Sequence, residues 1–238
     1  MTTARYAIYV APRADTRLWA FGKLVLGYDA ETGEEAEQPA FDGISAADIL
    51  DRTADPRKYG FHATLKPPFH LIEGATFPHL VETAGALAAS TAPFTLPPLE
   101  VAALGAFLAL VPKPASPELH ALADACVRTF EPFRAPISPE DRARRLKSPL
   151  SDRQIGYLDL WGYPYVFDEF RFHMTLTGRL HHDERDLFRA ALGDLYRAYA
   201  EPLEVKDIAI YEQATRADRF TVKARIPLTG TVSAPGQR

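Results

Sequence analysis

The sequence predicts an α+β protein built as a bilobal, pseudo-twofold duplication. Two antiparallel-rich sheets face a central cleft, with helices on the outer faces. Three observations carry this. First, Phe61-His62-Ala63-Thr64-Leu65 and Phe172-His173-Met174-Thr175-Leu176 share one pattern, with the histidines 111 positions apart. Second, each pentapeptide alternates in polarity, the period of a half-buried strand. Third, Pro-Leu-Glu-Val recurs at Pro98 and Pro202, 36 positions after His62 and 29 after His173. Each copy follows a helical segment and precedes apolar strands, the element order expected of a repeat.

In chain order, Tyr6-Ala7-Ile8-Tyr9-Val10 reads as the first strand, stopped by Pro12. Asp15-Thr16 caps a helix over 17–26, with Leu18, Phe21, Leu24 and Val25 as its apolar stripe. The acidic segment 29–39 has no period and reads as a loop. Ser45 caps a short helix to Leu50, and 55–58 reads as a turn into the first motif strand. Pro67-Pro68 is expected to close that strand, since proline cannot donate to a ladder. A helix over 77–90 follows, then strands over 94–103 and 106–111 around Gly105, and a helix over 118–130. Ser138, Pro139 and two acids open another helix that carries the basic run Arg142 to Lys147. A helical stretch over 155–160 and an aromatic loop, Trp161 to Tyr165, lead into the second motif near Glu169. The chain finishes with a helix over 183–199 and strands over 203–211 and 219–226. One domain over 1–230 is expected, with motif one in 59–68 and motif two in 169–180. The small, polar segment 231–238 reads as a disordered tail.

Composition narrows the class. A content of 47% hydrophobic and 24% charged residues is that of a soluble globular protein. A net charge of -4 argues against a stable nucleic-acid complex, whose affinity comes from phosphate neutralisation. The single cysteine, Cys126, allows no intrachain disulfide or thiolate metal cluster, and reads as a small core residue. No run approaches the ~20 apolar residues of a membrane span, and residues 1–5 lack the charged and apolar regions of a signal peptide. The expected location is cytoplasmic, with no membrane partner. The sequence assigns no oligomeric state.

In a strand, residues i and i+2 share a face. His62 therefore stands with Thr64, and His173 with Thr175, each pair opposite an apolar face. Two imidazoles around one cleft supply a general base and a general acid, because each titrates near neutrality. The hydroxyls can donate to non-bridging phosphate oxygens. The scheme is an in-line displacement at phosphorus that needs no metal or other cofactor. Lys66 falls in phase with His62 and is expected to meet the phosphate. Arg179 is in phase with His173, and Tyr9 and Tyr211 are candidates to stack on a base or sugar.

The paired His-x-Thr motifs resemble the two-histidine (2H) phosphoesterase superfamily, which includes cyclic phosphodiesterases and RNA ligase-like enzymes. The longer strings Tyr59 to Phe69 and Glu169 to Leu180 resemble a bacterial branch whose genes lie in carbon–phosphorus lyase operons for phosphonate breakdown. The resemblance spans about Arg5 to Leu228. It implies the bilobal fold and catalytic roles for His62, Thr64, His173 and Thr175, but supplies no substrate; the small phosphorylated substrate is expected from the paired His-x-Thr chemistry. It leaves open hydrolysis, ligase-type transfer or binding without turnover, and which histidine is the base.

Other polar groups read more simply. Adjacent His181 and His182 would point apart in a strand, and Asp183 reads as a helix cap rather than a metal ligand. His70 and His79 read as surface residues and His120 as part of an amphipathic helix. The run Arg142 to Lys147 is either a solvated face or a lid over the phosphate. Trp161, Tyr163 and Tyr165 are candidate cleft walls. No glycine-rich phosphate loop is present.

Overall fold

A computed structural model describes residues 4–231. Of the expected tail, residues 232–238 lie outside the described residues. The first half runs β1 (Arg5–Val10), α1 (Arg17–Leu26), α2 (Ala46–Arg52), α3 (Ala54–Arg57), β2 (Ala63–His70), α4 (Phe77–Ala89), β3 (Phe94–Leu96) and β4 (Glu100–Leu104). The second runs β5 (Phe107–Val111), α5 (Pro117–Thr129), α6 (Pro139–Arg145), α7 (Asp152–Trp161), β6 (Met174–Thr175), α8 (Arg185–Tyr196), β7 (Leu203–Val205) and β8 (Asp207–Gln213), with β9 (Thr221–Pro227) added at the end.

The α+β class and the antiparallel pairing are as expected. The two strand sets meet in one seven-stranded sheet of order β4-β5-β6-β2-β1-β8-β9, and a second, two-stranded sheet pairs β3 with β7. The order exposes the duplication. In each half the first strand pairs with the motif strand, β1 with β2 and β5 with β6. The first strand of each half also pairs with the last strand of the other half, β1 with β8 and β5 with β4. The motif strands β2 and β6 touch at the centre through Ala63 and Met174. The repeat thus begins at the first strand of each half. The Pro-Leu-Glu-Val match does not follow it: Glu100 and Val101 open β4, whereas Leu203–Val205 is β7, the counterpart of β3.

Local chemistry sets the element ends. The Thr16 and Ser138 hydroxyls accept from the backbone N–H groups of Trp19 and Asp141, and Ser151 and Gln154 form a capping box on α7. Pro97-Pro98 splits the expected 94–103 strand into β3 and β4, and Lys206 separates β7 from β8, which lie in different sheets. The expected 55–58 turn is largely helical, as α3. Asp183 is not a cap: Glu184 holds that position on α8 without a side-chain cap bond, and pairs instead with Arg52.

Pro67-Pro68 does not end the motif strand. β2 continues to His70 against β1, with Phe69 opposite Tyr6 and His70 opposite Arg5. Both prolines are tolerated because β2 pairs with β6 only at Ala63, which leaves that edge free of N–H demand, and because Pro67 and Pro68 fall in the register shift between the Lys66 and Phe69 pairings with β1. The β1–β2 register also shifts twice between Tyr6 and Tyr9. Such bulges turn a strand's side chains to the other face.

One face of the sheet, bearing Ile8, Phe61, Leu65, Leu108 and Met174, forms the main core with the helices. On the other face a smaller core gathers Tyr9, Tyr211, Trp19, Tyr28 and Phe220. Helix α1 closes tightly over the first motif. A Cβ on Gly22 would lie 2.0 Å from the Phe61 ring, the neighbour of His62. Gly22→Ala is therefore expected to lower unfolding stability by about 1–3 kcal/mol, the cost of overpacking, despite the better helix propensity of alanine. A urea unfolding midpoint at or above wild type would contradict this close contact.

Candidate active site

The motif strands put four polar side chains on one face at the centre of the sheet. Ala63 pairs with Met174. Continued by one residue either way, that register sets Thr64 opposite His173 and His62 opposite Thr175. Directly opposed residues in antiparallel strands have Cβ atoms about 4.5–5.5 Å apart. The four side chains line one cavity of about 730 Å³ together with Tyr9, Tyr59 and Tyr163, and with the cations Lys58, Arg145 and Arg179.

Both imidazoles are held in the same way. Nδ1 of His62 lies 2.9 Å from the Gly60 carbonyl, and Nδ1 of His173 lies 2.7 Å from the Arg171 carbonyl. A carbonyl only accepts, so Nδ1 carries the proton in each ring and Nε2 is left for chemistry. The Thr64 hydroxyl lies 3.3 Å from Nε2 of His62, to which it donates while the ring is neutral. Gly60 makes this carbonyl available. Its φ is +73°, and a Cβ there would meet the Ala30 Cβ at 2.5 Å.

Burial disfavours charge on both rings. Tyr9 stacks on His62 with ring centroids 3.7 Å apart. Burial pushes the His62 pKa down to about 4, against the hydrogen bond to Gly60 and with a further push from His173. Burial also lowers His173, partly offset by its bond to Arg171. Both shifts favour the neutral imidazole at pH 7. A bound phosphate anion would raise both pKa values, since an opposite charge favours the protonated form.

The remaining expectations divide. Tyr9 lines the cleft, and burial raises its phenol pKa well above the ordinary value, so it stays neutral. Tyr211 does not line the cleft. It is fully buried behind Tyr9, 4.9 Å between centroids, with a hydroxyl that has no hydrogen-bond partner among the described residues. Lys66 is not in the cleft either. The bulged register sets it opposite Ile8 on the helix side. There it lies 1% exposed, with Nζ 2.8 Å from Glu131 and 3.0 Å from the Val127 carbonyl. Counting in twos from His62 missed this because the bulge inserts a residue before Lys66.

Of the basic run, Arg145 alone lines this cleft. Arg142 pairs with Asp159 and Arg144 with Asp141. Of the aromatic loop, Tyr163 lines it, whereas Trp161 packs on Phe167 and Tyr165 is exposed. Arg179 reaches the cleft from the loop after β6. Lys58 and Tyr59, at the approach to the first motif, were missed in the sequence; their place beside the Phe-His-x-Thr-Leu string was the available signal. Cys126 is buried and its thiol pKa is pushed up, as suits a core residue. Among the described residues no helix is long and apolar enough to cross a membrane, and no group of three or more His, Cys, Asp or Glu side chains is placed to hold a metal ion.

Paired His-x-Thr strands stand at the centre of a pseudo-twofold antiparallel sheet, the arrangement that the motif resemblance implied. The family described as "Protein of unknown function (DUF1045)" matches residues 64–221, and the chain belongs to that family. Two curated relatives carry the name "Ribose 1,5-bisphosphate phosphokinase PhnN". The Janthinobacterium sp. (strain Marseille) protein is 36% identical over 231 residues, covering 95% of this chain and 51% of its own length. The Laribacter hongkongensis protein is 36% identical over 236 residues, covering 96% and 53%. The chain thus spans about half the length of the curated relatives it matches. Among solved structures, Thermus thermophilus TT0787 gives a TM-score of 0.44 at 14% identity, covering 95% of this chain and 98% of that one. E. coli LigT complexed with NADP+ gives 0.42 at 14%, covering 94% and 98%.

The ring environments predict a titration order. Followed by NMR, the His62 ring is expected to titrate near pH 4 and His173 below ~6.5, the unperturbed value. Both are expected to move up when phosphate is added. Because the folded pKa of His62 lies below its unfolded value, its contribution to stability is complete above pH ~6.5 and is lost as pH falls toward 4. An unperturbed His62 titration that ignores phosphate would contradict the burial and the shared cleft.

Proposed function

We propose that the chain is a phosphoesterase that opens a cyclic phosphodiester on a phosphorylated ribose-type substrate, with no metal in the reacting centre. The observation that carries this reading is a pair of imidazoles, each bonded through Nδ1 so that Nε2 is left for chemistry, that line one cleft with two threonines. In the reaction, Nε2 of one histidine takes a proton from water as its oxygen attacks phosphorus. The P–O bond opposite breaks, and Nε2–H of the other histidine protonates the departing sugar oxygen. The products are a phosphate monoester and a free hydroxyl, and solvent restores both rings.

We assign His62 as the base, because burial and the nearby His173 keep its Nε2 unprotonated down to about pH 4. His173 is then the acid. Thr64 and Thr175 donate to the non-bridging oxygens, and Lys58, Arg145 and Arg179 offset the charge of the phosphate. The name shared by the curated relatives supports a phosphorylated ribose as the substrate class. The link to phosphonate or nucleotide metabolism is supported by the motif resemblance. The phosphokinase activity in that name describes proteins about twice as long. This chain has no Walker-type phosphate loop, so we assign the kinase reaction to the part of those proteins that it does not match.

With EDTA present, His62→Ala and His173→Ala are each expected to lower kcat on a ribose cyclic phosphate by about 10²–10⁴-fold. Thr64→Val and Thr175→Val are expected to lower it by about 10²–10³-fold. The pH profile of kcat/KM should peak between pH 4 and ~6.5, bounded by base and acid. Full turnover by both histidine variants, or loss of wild-type turnover to EDTA alone, would contradict the reading.

A further inference from the structure

A second recess adjoins the histidine cleft and shares Tyr59, Pro68 and Arg145 with it. Its volume is about 180 Å³. Its walls carry Arg5, Arg144, Arg145 and Arg216, and Asp141 is their one carboxylate counterpart there. Arg134 also lines the recess, where it pairs at 2.6 Å with Glu131, the carboxylate that also holds Lys66.

The other guanidiniums are underbalanced. Asp141 is shared between Arg144 at 2.8 Å and Arg216 at 2.9 Å. Arg5 bonds only the neutral Gln213 side chain, with Nε 2.8 Å from its carbonyl oxygen, and faces the Phe220 ring. Arg145 lies over the Tyr163 ring at 4.8 Å, and its buried Nε has no hydrogen-bond partner among the described residues. Burial lowers the Arg5 pKa, with Arg216 adding to it against Tyr59, Tyr9 and Asp141. Four guanidiniums against one carboxylate leave a concentrated positive charge in a concave site. A doubly charged phosphate monoester matches that charge and the fork geometry of arginine.

We propose that this recess binds a phosphate monoester borne by the same small molecule whose cyclic phosphate lies between the histidines, so that the substrate is a doubly phosphorylated sugar. The proposal rests on the cyclic phosphodiesterase reading for the reacting end. Its own footing is the arginine recess, with Arg145 as the group common to both sites.

The test has a kinetic arm and a binding arm. In the first, adenosine 2′,3′-cyclic phosphate is compared with its 5′-phosphorylated form. Wild type should show a kcat/KM at least roughly tenfold higher for the 5′-phosphorylated compound, and that ratio should fall toward one in Arg216→Gln and Arg144→Gln. In the second, calorimetry measures ribose 5-phosphate binding to wild type, Arg216→Gln, Arg144→Gln and His62→Ala, each first checked for folding by its urea midpoint. Binding should weaken at least roughly tenfold in the arginine variants and less in His62→Ala. If wild type turns over neither cyclic phosphate while binding remains arginine-dependent, the reaction assignment falls and the recess stands. Turnover without a 5′-phosphate preference, together with binding that ignores the arginines, overturns the recess alone. Binding that fails only in His62→Ala places the monoester in the histidine cleft and also overturns it.

Discussion

The structure depends on the pairing of Ala63 with Met174, which lays the motif strand β2 beside β6 at the centre of the sheet. The four motif side chains take their places in the cleft from that register. Shifting it by one residue would turn one imidazole–hydroxyl pair into the main core and put Phe61 or Phe172 into the cleft. The apolar faces oppose such a slip. Phe61, Ala63, Leu65, Phe172, Met174 and Leu176 are all buried in the core, and fully burying a phenylalanine contributes about 1.5–3 kcal/mol. The ladder at this point is short, so packing rather than hydrogen bonding fixes the register.

The duplicated geometry yields two unequal histidines. Each anchors Nδ1 to the carbonyl two residues back, so the tautomer and the aim of Nε2 are the same. Their surroundings then diverge. His62 lies under Tyr9 and beside Gly60, whereas His173 neighbours Phe107 at 5.7 Å. A symmetric pair would compete for one proton. Separation of the two environments is what divides a base from an acid. The cations around the cleft are less symmetric still, because Lys58, Arg145 and Arg179 come from loop, helix and loop. In the proposed reaction they are the parts that would select one phosphorylated compound over another.

Much of this could be read from the residues because strand periodicity and the repeat of a five-residue string are local signals. The four motif side chains and their shared face, the caps at Thr16, Ser45 and Ser138, and the turn at Gly105 followed directly. Lys66 did not, because a bulge depends on how β1 pairs with β2, and one strand's sequence does not show its partner's register. The persistence of β2 through Pro67-Pro68 has the same origin: proline is excluded only where a ladder needs its N–H, and here one edge is free. Tyr211 was a candidate for the cleft, yet Tyr9 stands in front of it and Tyr211 packs in the sheet, as β-rich tyrosines often do. Arg145 was hidden within a run of cations, where the helix phase and the Tyr163 ring decide which one turns inward. The tetrapeptide repeat misled, since similar residues fell on different strands of the duplicated unit.

The central claim is that two imidazole–hydroxyl pairs, distant in the chain, serve a single phosphorus atom. A crystal structure with vanadate bound tests this most directly. The account predicts one vanadate within hydrogen-bond distance of Nε2 of both His62 and His173, with the Thr64 and Thr175 hydroxyls on its equatorial oxygens. Vanadate bound to one histidine while the other faces away, or bound outside the cleft altogether, would contradict it.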